Sequence, residues 1–202
     1  MNSTSARLSR QAERPGYFFL AANALLFLTG ISHTGLARAP DAVRLEKGEV
    51  ITWVDEHPNG DRFLKARILV RAPRPYVWDA VRTAQDANLK SSFLQKVVSD
   101  SERIVEERYD LPVLGKVWCV RHVLEVPYQR IHFKMLQSDH FKALEGEWLI
   151  WEDPAGKGII VEFGSLIRLD MRTPRWLFER IGKGKIEKLV RGIRDGAEKR
   201  KP

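Results

Sequence analysis

The sequence predicts an α+β domain in which a curved antiparallel β-sheet wraps around one long C-terminal α-helix, with a signal or anchor helix ahead of it. Three observations point there. Thr173 to Lys201 carries apolar residues at helical spacing, the middle of the chain is a series of alternating strands broken by turn residues, and Tyr17 to Ile31 is an uncharged apolar run behind three arginines.

Composition and charge narrow the partners. With 202 residues the chain has room for one domain with a real core plus an appendage. The net charge of +8 belongs to the two ends. Residues 1–39 hold four basic side chains against one acidic, a net +3; residues 172–202 hold eleven against four, a net +7, which leaves the middle at −2. A nucleic-acid reader carries its basicity on the folded face that reads, with aromatics interleaved, so no nucleic-acid partner is expected. Phospholipid headgroups match a basic end better, and a merely solvated helix face is the plainer alternative. Cys119 is the single cysteine, which excludes an intramolecular disulfide and a multi-cysteine metal site.

The first element is a targeting segment, residues 1–39. Arg7, Arg10 and Arg14 precede the run YFFLAANALLFLTGI, which has the length of a secretory h-region and falls short of the ~20 residues that span a bilayer. Cleavage after Ala37 or Ala39 and retention of residues 17–37 as an anchor both remain open. Either way the remainder, 40–202, is placed across the inner membrane, in the periplasm or its equivalent.

The folded domain begins near Val43. Val43–Val54 and Phe63–Val70 are β-rich, and Asn59-Gly60 between them signals a hairpin. Ala72-Pro73-Arg74-Pro75 ends the second strand, after which Tyr76, Val77, Ala80, Val81 and Ala84 have helical spacing. Strands follow at about 97–109, 115–126, 131–136, 145–152 and 158–169. The last helix starts at Thr173-Pro174, a capping residue followed by proline at the first helical position. Trp176, Leu177, Ile181, Ile186, Leu189, Val190, Ile193 and Ala197 form its apolar stripe, and Lys183, Lys185, Lys188, Arg191 and Arg194 its basic face. Gly182 and Gly184 predict a kink or two helices in tandem.

Several of these motifs resemble the START-like or SRPBCC superfamily over roughly Leu45 to Glu198. Ile68 to Trp78 (ILVRAPRPYVW) looks like the strand, Ala-Pro turn and Val-Trp helix start of that family, and Phe141 with Gly146-Glu147-Trp148-Leu149-Ile150 resembles its G-x-W strand. The strand from Gly156 to Phe163 and the helix after Pro174 complete the likeness. Where the family often has an Asp and a Pro-x-Phe after the first helix, this chain has Thr83-Ala84-Gln85-Asp86 and Ser91-Ser92-Phe93, so one loop differs.

The resemblance implies a helix-grip fold with a cavity between sheet and helix that holds a hydrophobic ligand. Strand alternation proposes its lining: Trp118, Val120, His122 and Leu124; Ile131, Phe133 and Met135; Trp148 and Ile150; Val161, Phe163, Ser165 and Ile167; with Trp176 and Ile181 from the helix. For each the alternative is ordinary core packing. An inward His122 would be a buried imidazole in need of a partner.

The five histidines show no H-E-x-x-H or paired metal spacing, and neither a phosphate-binding glycine loop nor a G-x-S-x-G elbow occurs. Glu106 and Glu107 are adjacent, but alternation sends them to opposite faces. No cofactor or metal is expected. Three readings follow: an exported or membrane-tethered carrier of a lipid, isoprenoid or quinone; a polyketide cyclase/dehydrase-like or hydrolytic enzyme using the same cavity; and a ligand-free interaction module on an anionic membrane surface.

Overall fold

Period-2 alternation in Arg62–Val70 is where the core begins: Leu64, Ala66, Ile68 and Val70 point one way and are buried, while Lys65 and Arg67 point the other. The computed structural model describes residues 39–87, 94–111, 115–169 and 175–200. The segment assigned to targeting lies outside them, apart from Ala39. Among the described residues no helix is long and apolar enough to cross a membrane.

The elements run α1 (Ala39–Glu46), β1 (Ile51–Glu56), β2 (Arg62–Val70), α2 (Arg74–Ala87), β3 (Leu94–Ser99), β4 (Glu102–Leu111), β5 (Gly115–Val126), β6 (Arg130–Ser138), β7 (Phe141–Glu152), β8 (Ile159–Leu169) and α3 (Arg175–Glu198). The eight strands form one antiparallel sheet in the order β1-β2-β8-β7-β6-β5-β4-β3. A meander from β3 to β8 therefore returns the chain to β2, and α2 bridges β2 to the far edge. Inner-face residues of β2 and β4 to β8 share one cluster with Ile186, Val190, Ile193 and Ala197 of α3, so the sheet closes on the helix as the sequence predicts. Asn59-Gly60 makes the β1–β2 hairpin: Gly60 takes φ +80°, and Asn59 Oδ1 accepts the Asp61 N–H at 3.0 Å.

Four expectations are corrected. Val43 lies in a helix, because the Gly48 N–H donates to the Leu45 carbonyl at 2.9 Å and ends a short helical segment before β1 starts at Ile51. That helix buries Leu45 against Ile51, Leu69 and Ile160, a second small core on the outer face of the sheet. The strand expected over 97–109 is two strands, split by a tight turn at Asp100-Ser101 where the Ser101 N–H donates to Ser99 Oγ. β7 starts at Phe141, four residues before the expected 145. Finally, α3 is one helix through Gly182 and Gly184. A Cβ at Gly182 would fall 2.7 Å from Leu64 Cδ2, so this glycine serves close helix-to-sheet approach and does not break the helix.

Candidate functional site

The face of the sheet turned to α3 is apolar along most of its width. From β6 it receives Ile131 and Phe133, with Met135 partly buried; from β7, Leu144, Trp148 and Ile150; from β8, Val161 and Phe163, with Ser165 and Ile167 partly exposed. Phe163 lies 4.2 Å from Trp148 and 6.4 Å from Phe133, ring centre to ring centre. Gly146 is what lets the Phe133 ring rest on β7, since a Cβ there would collide with it. Trp148 is 1% exposed and donates its indole N–H to Gln85 Oε1 of α2 at 3.0 Å, so a buried amide fixes the ring. Ile131, Phe133, Met135, Trp148, Ile150, Val161, Phe163, Ser165 and Ile167 are thus brought to one face as expected.

The β5 residues are not. Val117, Cys119, Arg121, Val123 and Glu125 are the buried set, and Trp118, Val120, His122 and Leu124 lie on the opposite, outer face. Leu124 is 41% exposed. Trp118 donates its indole N–H to Glu106 at 2.7 Å, and His122 Nε2 sits 2.6 Å from Glu102 Oε1, so that imidazole is partnered at the surface. The buried set includes two charged residues, Arg121 and Glu125, and each is paired inside with an opposite charge from β4. Trp176 and Ile181 lie outside the described side chains.

Those neutralising contacts are what sequence reasoning missed. Glu107 of β4, 0% exposed, pairs with the Arg121 guanidinium, which also lies 4.8 Å over the Phe133 ring. Along the same two strands Arg103 pairs with Glu125, to which Arg82 of α2 adds a contact at 3.4 Å. A signal was present. Each strand carries Arg and Glu four residues apart on one face, Arg103/Glu107 and Arg121/Glu125, and antiparallel pairing of Val105 with Arg121 brings each charge to its opposite.

Chemically, the inner face offers a greasy surface with an ion pair set into it. Burial pushes the Cys119 thiol up to about 12, with Arg121 drawing it down and Glu107 pushing it up, so it is a neutral thiol at ordinary pH. Among the described residues no three His, Cys, Asp or Glu side chains are grouped to hold a metal.

The basic face of α3 divides in two. Arg191 pairs with Glu187 at 2.7 Å, and Arg194 contacts Asp195 at 3.2 Å and donates to the Gly48 carbonyl at 2.9 Å, tying α3 to the α1–β1 turn. Lys183, Lys185 and Lys188 are exposed.

No family model and no curated protein matches the chain in sequence. Solved structures do match in shape. A START superfamily protein from Mycobacterium smegmatis aligns at TM-score 0.51 with 12% identity, over 68% of this chain and 97% of that one. A STAR-related lipid transfer protein from Xanthomonas axonopodis aligns at 0.55 with 13% identity, over 73% and 93%. The di-domain aromatase/cyclase StfQ of the steffimycin pathway aligns at 0.54 with 10% identity, over 79% of this chain and 54% of that one. At these identities the likeness is one of fold: the chain has the helix-grip architecture of START/SRPBCC proteins.

Proposed function

We propose that this domain binds and carries a hydrophobic ligand, a lipid, isoprenoid or quinone, between the inner face of the sheet and α3. The observation that carries the reading is the aromatic surface of Phe133, Trp148 and Phe163 beside the buried Glu107–Arg121 pair. The apolar surface suits a chain or ring system, and the ion pair suits one polar head that exchanges hydrogen bonds with it. The fold shared with a STAR-related lipid transfer protein supports the same class of ligand. Residues 17–37 export or tether the domain, and Lys183, Lys185 and Lys188 hold it near anionic lipid.

A cyclase-like reaction is the second reading, favoured by the polar groups Glu107, Arg121 and Gln85 near the aromatic surface and by the fold shared with StfQ. The deciding experiment is transfer of a fluorescent lipid or quinone analogue between donor and acceptor vesicles. Catalysed transfer is expected; unaltered spontaneous exchange for every ligand class contradicts a carrier. A reporter fused after Pro202 tests export, because activity in the cytoplasm would exclude it.

A further inference from the structure

Away from the sheet, α2 and α3 leave a groove of about 450 Å³ between them. Its floor is apolar, from Ala80 and Ala84 of α2 and Leu189 and Ile193 of α3, and among the described residues no acidic side chain lines it. Lys185 and Lys188 stand at one end and Arg200 at the other. None of the three has a carboxylate within ion-pair distance among the described residues, unlike Arg191 and Arg194 on the other flank of the same helix. From Lys185 to its end at Glu198 the helix runs about 20 Å, and Arg200 follows in the turn beyond it.

We propose that this groove binds a single-chain anionic amphiphile, a long-chain carboxylate, with its chain along the Ala80–Ala84 and Leu189–Ile193 floor and its head between Lys185 and Lys188. The volume falls within the roughly 300–1,000 Å³ of small-molecule sites. A trough between two helices has the width for one chain, and two exposed lysines one helical turn apart can share one head, with no carboxylate among the described lining residues to compete for them. No strand residue lines the groove, although its floor packs on the same core, and the proposal does not rest on the carrier reading.

The groove can be filled without disturbing the packing around it. A Cβ added at Gly192 or Gly196, both of which line it, meets no atom within 4 Å. Gly192→Leu therefore occupies the groove, and replacing glycine inside a helix does not weaken the helix.

The test is photolabelling of the full chain in phosphatidylcholine nanodiscs with a diazirine-bearing hexadecanoic acid, followed by peptide mapping. Adducts are expected on the α2 and α3 peptides that line the groove. They should fall about tenfold or more in Gly192→Leu and in Lys185→Gln/Lys188→Gln, and the matching neutral alcohol should label as weakly. Absence of groove adducts, labelling indifferent to these substitutions, or equal labelling by the alcohol overturns the proposal. So does groove labelling by a diazirine phospholipid and not by the fatty acid, which would assign the groove to the bilayer. Adducts on Phe133 or Trp148 report separately on the sheet–helix site.

Discussion

The Glu107 carboxylate and the Arg121 guanidinium meet on the inner face of the sheet, on neighbouring strands, with the Phe133 ring against the arginine. Charges placed there cost desolvation that their attraction only offsets, so a pair of this kind is poor evidence for stability and better evidence for a polar role. Removing one partner takes away the contact that most directly offsets the other's buried charge. Glu107→Leu and Arg121→Met singly should each cost about 3–5 kcal/mol in urea unfolding, and the double change should return to within about 1 kcal/mol of the parent or exceed it. Single changes without effect would mean that water reaches the pair.

Trp148 and Trp118 look alike in sequence and should behave oppositely. Trp148→Ala removes a fully buried ring and leaves Gln85 without its partner, for about 3–5 kcal/mol. Trp118→Ala on the outer face should cost about 1 kcal/mol. Equal losses in equilibrium unfolding would contradict the assignment of faces on β5.

Alternation was legible in β5, but its direction was not. Period 2 separates Trp118, Val120, His122 and Leu124 from Val117, Cys119, Arg121, Val123 and Glu125 without saying which set turns inward, and hydrophobicity favoured the wrong one. The cost of burying Arg121 and Glu125 is met on β4, and strand register is not written in local sequence. On β6, β7 and β8 the inward face is apolar, and Phe133, Trp148 and Phe163 lie on it. The continuity of α3 escaped for a related reason: Gly182 is explained by Leu64, more than a hundred residues earlier. In contrast, the Asn59-Gly60 hairpin and the start of α2 after Pro73 rest on local chemistry and were visible.

Cys119 gives a pH signature. Its thiol ionises near 9.0 in the unfolded chain and at about 12 when folded, so it is protonated in both states well below pH 9. As pH rises from 9.0 towards 12 only the unfolded chain loses the proton, and stability falls by up to about 1.4 kcal/mol per pH unit. Unfolding of the parent and of Cys119→Ala, compared at pH 8 and pH 10.5, should show a loss for the parent that the variant lacks. Parallel losses would mean that the thiol is not shielded.

The two flanks of α3 should separate in vesicle binding. Ala37–Pro202 forms its own compact unit, so residues 40–202 can be tested without the apolar run. Changing Lys183, Lys185 and Lys188 to Gln should weaken binding to phosphatidylserine vesicles by about 1 kcal/mol each, and rising salt should have the same effect. Arg191→Gln and Arg194→Gln should do less, because Glu187, Asp195 and the Gly48 carbonyl already engage them. Indifference to salt and to all five changes would leave the basic face as a solvated helix surface.

A hydrophobic ligand held between the sheet and α3 should leave with the protein on purification, where mass spectrometry of what the protein carries detects it. Organic extracts of the purified protein and of Phe163→Trp, which crowds the Trp148–Phe163 contact, are compared for lipids, isoprenoids and quinones at known protein amounts. A single class near one molecule per chain, lost in the crowded variant while the fold is retained, is the expected result. Extracts that hold only traces of every class, or a ligand retained unchanged in the variant, would contradict the account.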